Sequence, residues 1–134
     1  MANLHNYHGR YCEAEFESTF LSYLEEAGWS YLAGSSLPRD SMRDVLYTDD
    51  MEFFLNRTNP DLTADEIQQI MDTVRLAGAE NDFATLHKVY DWMVNGIQFT
   101  PQAALPRIVN LIEFEDPEKN VFRAVNQFTV EYTN

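Results

Sequence analysis

The apolar residues of this chain follow a helical period in segments of residues 12–97 and a strand period over residues 121–132. In the helical segments, apolar residues recur three and four positions apart, whereas over residues 121–132 apolar and polar residues alternate with two exceptions. The change of period predicts an α/β (α+β) fold in which N-terminal helices, a crossover over residues 98–107 and a β-hairpin follow one another.

Two helices are expected in the first half of the chain. The first covers residues 12–27, and a loop over residues 30–41 follows because that stretch is rich in glycine, serine and proline. The second covers residues 49–57, where Asp49 and Asp50 suit the positive end of a helix.

A third helix is expected from Thr63 to Gly78, since Thr63 stands three residues before Glu66 in a capping-box pattern. A fourth is expected from Asp82, as its cap, to Gly96. Both helices carry an apolar stripe that we expect to pack into the core. The stripes consist of Ile67, Ile70, Met71 and Val74 in the third helix, and Phe83, Leu86, Tyr90, Met93 and Val94 in the fourth.

The predicted hairpin joins a strand over residues 108–114 to a strand over residues 121–132 through a turn at residues 116–120. The even positions of the second strand are apolar except for Asn126, so one face is expected to be buried. An isolated hairpin is marginally stable, and no later strand is present for it to pair with. We therefore expect the hairpin to be the start of a larger sheet and the chain to be the front part of a longer protein.

The charge of the chain limits its partners. Its 134 residues include 22 acidic and 9 basic side chains, a net charge of −13, which makes a free-standing nucleic-acid binder a poor interpretation. The single cysteine, Cys12, excludes an internal disulfide framework. No apolar stretch suits a signal peptide or a membrane span. These features predict one soluble cytosolic domain with no membrane partner.

Glu17 departs from the pattern of its own helix. At about 100° per residue, Glu17 projects between the apolar residues Leu21 and Leu24, and Glu13 projects from the same side one turn earlier. A carboxylate that faces a core is costly unless it is paired, hydrogen-bonded or bound to a cation. Glu17 is therefore a candidate functional residue, and the alternative is that both acids lie at the edge of the stripe.

Other candidate sites have weaker signals. His5, His8 and His87 are not spaced as a helical metal pair, and Cys12 has no nucleophile motif around it. A cation site at the acidic start of the second helix is an alternative to a solvated helix end. The sequence contains none of the common phosphate-loop, dinucleotide, zinc-protease or serine-hydrolase motifs.

The hairpin region carries a resemblance to a known family. The run over residues 111–120, Leu-Ile-Glu-Phe-Glu-Asp-Pro-Glu-Lys-Asn, and the run over residues 124–130, Ala-Val-Asn-Gln-Phe-Thr-Val, resemble the N-terminal nuclease domain of the restriction (R) subunit of type I restriction–modification enzymes. Upstream, Phe16-Glu17 followed by Gly-Trp-Ser-Tyr at residues 28–31 agrees in order.

This resemblance implies the beginning of a PD-(D/E)xK restriction-endonuclease-like mixed sheet, incomplete within residues 1–134, with the rest of the nuclease and the motor domains absent. It implies a prokaryotic cytoplasmic enzyme that cleaves foreign duplex DNA after ATP-driven translocation and requires Mg²⁺. Methyltransferase and specificity subunits are the implied partners. The fragment alone is expected to be inactive and to bind neither Mg²⁺ nor ATP.

The resemblance also suggests site residues. The helical acid that helps bind metal in many nucleases of this fold maps onto Glu17, with Glu13 as second choice. Asn126 and Gln127 belong to the matching run, and we predict that they line the site or contact DNA. The family's metal-binding Asp and its ExK pair follow the hairpin and have no counterpart in this chain.

An alternative interpretation is a complete acidic protein that mimics DNA and inhibits a DNA-binding enzyme. The charge of −13 on a chain of this size supports it. Against it, many of the acids lie at predicted helix starts, where the helix dipole already accounts for them.

Overall fold

The computed structural model describes residues 12–39, 41–79 and 83–131. The described residues form four α-helices and two separate two-stranded sheets, a mixed α/β arrangement. In chain order the elements are α1 (Glu13–Glu26), β1 (Ser30–Ala33), α2 (Thr48–Thr58), α3 (Ala64–Ala79), α4 (Phe83–Asn95), β2 (Ile97–Phe99), β3 (Arg107–Val109) and β4 (Arg123–Asn126). Among the helices described, none is both long and apolar enough to span a membrane.

The chain divides into two compact units. The first unit contains α1, β1 and β4, and the second contains α2, α3, α4, β2 and β3. The hydrophobic core lies in the second unit, where α2 and α3 pack with the β2–β3 sheet. Its buried residues are Phe54, Leu55, Leu62, Ile67, Ile70, Met71, Ile97 and Val109.

All four predicted helices are present, and the third begins as expected. The backbone N–H of Thr63 donates to the carboxylate of Glu66 at 3.0 Å, and the backbone N–H of Glu66 donates to the Thr63 hydroxyl at 3.2 Å. This reciprocal pair satisfies two donors that the first turn of a helix leaves free. The predicted cap of the fourth helix, Asp82, and the histidines His5 and His8 lie outside the described residues.

Three of the four stripe residues of α3 are buried and Val74 is half-buried against the core, but the prediction that the stripe of α4 packs into the core is wrong. Phe83 exposes 83% of its surface, and the other four stripe residues are exposed as well. The reason is that α4 has a second apolar side, and Trp92 on that side packs against the core. Only one side of a helix at the edge of a core can face inward, so the predicted stripe points outward.

The predicted β-hairpin is also wrong, since its two strands pair with other partners. β3 pairs antiparallel with β2, with Ile97 opposite Val109, and β4 pairs in parallel with β1, with Tyr31 opposite Ala124. The predicted crossover over residues 98–107 therefore contains most of β2 and the start of β3.

A side chain accounts for the missing hairpin. The Asn120 amide donates to the Glu113 carbonyl at 2.8 Å and accepts from the Glu113 N–H at 2.9 Å. These bonds engage the two backbone groups through which residue 113 would join a neighbouring strand. The turn between them is a short 3-10 helix at Pro117–Lys119.

The predicted loop over residues 30–41 begins with a strand instead. The backbone N–H of Ser30 donates to the Phe122 carbonyl at 2.9 Å, and the rings of Trp29 and Phe122 lie 5.2 Å apart. β1 begins at Ser30 and pairs with β4, a partner that the sequence pattern did not identify. This stretch forms a strand despite its serines, because its aromatic and aliphatic residues favour the strand conformation and β4 is available to pair with it.

Candidate functional site

The candidate site lies in the first unit and begins with α1. This helix ends as predicted before Gly28, whose φ of +97° lets the chain turn away. No side chain of α1, which the structure describes throughout, is buried. Phe16 and Phe20 expose 63% and 55% of their surfaces, so the expectation that Glu13 and Glu17 face a core is wrong. The apolar side of α1 faces an open groove instead.

The opposite side of this groove is the end of β4. Gln127, the first residue after the strand, has a φ of +50°, which is rare for a residue with a side chain. Its side-chain amide donates to both carboxylate oxygens of Glu17, at 3.3 Å to Oε1 and 3.2 Å to Oε2. The two residues are 110 positions apart in the sequence, so the fold itself creates this contact.

Gly34 brings the backbone close to this point. A Cβ added to Gly34 would lie within 2.5 Å of the carbonyl oxygens of Asn126 and Gln127, so only glycine fits against this peptide. Beside it, the Tyr31 hydroxyl donates to the Asn126 side-chain oxygen at 2.8 Å. Asn126 is therefore a half-buried amide with a partner, which answers the need for one that the sequence pattern raised.

The groove has a volume of about 480 Å³ and brings together all four residues predicted for the site. Glu13, Glu17, Asn126 and Gln127 lie along it, and the rest of its wall is mainly apolar. The main apolar side chains are Phe16, Phe20, Leu21, Leu24 and Trp29. A smaller pocket of about 250 Å³ shares Glu17 and Asn126 and adds Ser18, Ser22 and Tyr31. This arrangement offers a carboxylate oriented by an amide and open to a ligand.

A metal centre is not complete within the described part of the chain. There, no group of three or more His, Cys, Asp or Glu side chains is arranged to hold a metal ion. Glu17 and Glu13 can supply at most a partial set of oxygen ligands for Mg²⁺, which prefers an octahedral set. Among the weaker candidates, His87 is exposed and Cys12 is half-buried.

Sequence reasoning missed two residues of the site, Tyr31 and Gly34, because both fell in the predicted loop. A signal for Tyr31 was present, since the short run Ser-Tyr-Leu-Ala at residues 30–33 has the size and composition of a half-buried strand. Gly34 had no such signal, because its role depends on a peptide nearly a hundred residues later in the sequence.

Comparisons with known proteins agree on one family. The family described as "Type I restriction enzyme R protein N terminus" matches residues 10–134. A protein of Methanocaldococcus jannaschii named "Putative type I restriction enzyme MjaIXP endonuclease subunit" is 32% identical over 126 residues, which is 87% of this chain and 12% of that protein. The chain thus spans about an eighth of the length of this relative. No solved structure matches the chain.

Proposed function

This chain belongs to the type I restriction enzyme R protein N-terminus family, and we propose that it forms the first part of a nuclease domain in a complete R subunit. The complete subunit would cleave foreign duplex DNA in the prokaryotic cytoplasm, together with methyltransferase and specificity subunits. Family membership favours this function over the acidic DNA mimic, whose support was charge alone.

The observation that carries the proposal is the contact between Glu17 and Gln127. A carboxylate that helps to hold a metal ion needs a fixed orientation, and a neighbouring amide donor provides it. The amide of Gln127 reaches both oxygens of Glu17, and the groove leaves this carboxylate half-exposed. Gln127 therefore acts as a positioning residue for Glu17.

We assign one Mg²⁺ ligand to Glu17 and the remaining ligands to later parts of the subunit. The described residues hold no group of three suitable side chains, so the proposed site needs further ligands beyond these residues. A cation held there would supply stabilisation of the negative charge that develops on the phosphate oxygens during hydrolysis of a phosphodiester. The helix α1 against the parallel pair β1–β4 is the part of the fold that we assign to a PD-(D/E)xK core.

Duplex DNA and ATP would be bound mainly by other parts of the enzyme. A net charge of −13 repels a phosphate backbone, and the sequence contains no phosphate-binding loop motif. For the same reasons, we expect the 134-residue chain alone to cleave no DNA.

The test is DNA cleavage by the complete R subunit assembled with its partner subunits. We expect Glu17→Gln to lower the cleavage rate on the order of 100-fold, because the amide can neither balance the cation's charge nor ligate it as a carboxylate does. ATP hydrolysis by the same complex should be unchanged. Glu13→Gln should have a smaller effect.

Glu26→Gln is the matched control, since Glu26 is an exposed acid on the same helix that lines neither pocket. Cleavage by the Glu17→Gln enzyme at the rate of the control would reject the assigned role of Glu17. A complex that hydrolyses ATP but cleaves no DNA even with the unaltered subunit would reject the nuclease function.

A further inference from the structure

Among the described residues of the second unit, the outer face of α4 is the largest run of exposed apolar side chains on one helix. We define this face as Phe83, Leu86, Tyr90, Met93 and Val94, which expose 83%, 62%, 65%, 44% and 47% of their surfaces. Side chains of this size leave on the order of 500 Å² of apolar surface in water, as much as the largest patch of a typical monomer. A patch of this extent marks an interaction surface.

The spacing on this face indicates what kind of partner fits. Phe83, Leu86, Tyr90 and Met93 stand three and four positions apart over two heptads. This is the pattern by which one helix packs along another, with each apolar side chain entering a gap on the facing helix. The outer face of α4 is therefore suited to a helix rather than to a strand or a loop.

The two formally charged residues of α4, Lys88 and Asp91, have partners within the same helix. Lys88 places its ammonium group 5.0 Å from the ring centre of Trp92, and the Asp91 carboxylate accepts from the Asn95 amide at 2.7 Å. The exposed His87 stands four positions after Phe83, and the exposed Asp91 stands three positions before Val94, so both lie along one edge of this face. The partner helix should accordingly be apolar at the centre of its contact and polar where it meets His87 and Asp91.

We propose that a helix from a later part of the same R subunit covers the outer face of α4. This inference rests on the proposed function, under which the chain is the first part of a much longer polypeptide. The matched relative supports this source, because its matched region is only 12% of its length. A tethered partner acts at high effective concentration, so a large apolar face can stay covered permanently.

A second copy of this chain is a poorer partner for the face. Each copy carries a net charge of −13, and two such chains repel one another. We therefore do not propose self-association through α4, and the test below is designed to detect it.

Hydroxyl-radical footprinting tests the proposal with native side chains. We expect the oxidation rates of Tyr90 and Met93 to fall several-fold in the complete R subunit relative to the 134-residue chain. Met42 is the matched control, because it is 41% exposed and lies far from α4 in the sequence. Its rate should change much less.

Three results would overturn the proposal. One is equal oxidation of Tyr90 and Met93 in both proteins, and another is protection that appears only when partner subunits are added. The third is protection of the short chain that increases with its own concentration, which would indicate a second copy. None of these readings requires cleavage, so a failure here is distinct from a failure of the nuclease function.

A pair of variants gives an independent check. In the complete subunit, Tyr90→Asp should lower the thermal unfolding midpoint, whereas in the 134-residue chain it should leave the midpoint unchanged. Leu105→Asp, at a residue that is 84% exposed, should have little effect in either protein. An equal effect of Tyr90→Asp in both proteins would contradict coverage by the later polypeptide.

Discussion

Helices α3 and α4 carry apolar stripes of the same spacing, and the two stripes lie in opposite environments. In α3, Ile67, Ile70 and Met71 are 1–2% exposed at the centre of the core. In α4, Leu86 and Tyr90 are more than half exposed. The comparison teaches that a helical apolar stripe indicates a face that needs a partner and does not say whether that partner lies in the same chain.

α1 resembles α4 in this respect. Its apolar side chains line an open groove, and the carboxylate of Glu17 lies among them. The buried stripe of α3 therefore supports the fold, whereas α1 and α4 leave apolar side chains exposed.

The largest effect expected from this comparison is a loss of core packing in α3. Ile70→Ala should lower the free energy of unfolding of the 134-residue chain by about 2–5 kcal/mol, because it removes a buried side chain and leaves a cavity. Leu86→Ala in α4 should change it by less than about 0.5 kcal/mol. Denaturant unfolding measures both values, and equal losses would show that the two stripes share one environment.

A smaller loss is expected in the first unit, where backbone rather than side chains makes the tightest contact. Gly34→Ala should lower the free energy of unfolding by about 1–3 kcal/mol, since the added methyl group would overlap the carbonyls of Asn126 and Gln127. Ser35→Ala, at an exposed neighbour in the same turn, is the control. Equal free energies of unfolding for the two variants would contradict the close approach at Gly34.

The start of α3 should contribute less than its core. Thr63→Ala should cost about 1 kcal/mol, because it removes the acceptor for the Glu66 N–H. The control is Thr73→Ala, whose hydroxyl bonds the Gln69 carbonyl within the same helix. A lower thermal unfolding midpoint for Thr73→Ala than for Thr63→Ala would contradict the capping box.

The smallest expected effect is a pH dependence at the same helix start. The backbone N–H of Thr63, with further help from the N–H of Gln102, holds the pKa of Glu66 below its usual value. A lowered pKa means that the ionised form stabilises the fold, so this contribution is present above the usual pKa and is lost as the pH falls. The stability difference between the unaltered chain and Glu66→Gln should shrink on acidification, as followed by unfolding from pH 7 downward. A stability difference that grows on acidification would contradict a lowered pKa of Glu66 in the folded chain.

Local signals in the sequence predicted the helices well. The spacing of Thr63 and Glu66 fixes a helix start through two hydrogen bonds within four residues. The partners of the strands could not be predicted in this way, because α2, α3 and α4 separate β1 from β4 in the sequence. The hairpin prediction was wrong for the same reason, since alternation identifies a strand but not its neighbour.

The sequence singled out candidate residues, but it could not indicate their geometry. Glu17 drew attention because its charge conflicts with the apolar side of α1, and Asn126 because it interrupts an apolar alternation. The contact from Gln127 to Glu17 and the fit of Gly34 depend on the fold bringing distant segments together.

The most direct test of the proposed site is a double-mutant cycle on Glu17 and Gln127, measured as DNA cleavage by the assembled enzyme. We predict that Gln127→Ala lowers the cleavage rate about 10- to 100-fold, as expected for a group that orients a ligand. The double variant with Glu17→Gln should be no slower than Glu17→Gln alone, because Gln127 then has no carboxylate to position. Losses that multiply in the double variant would contradict the claim that these two residues act as one unit of the nuclease site.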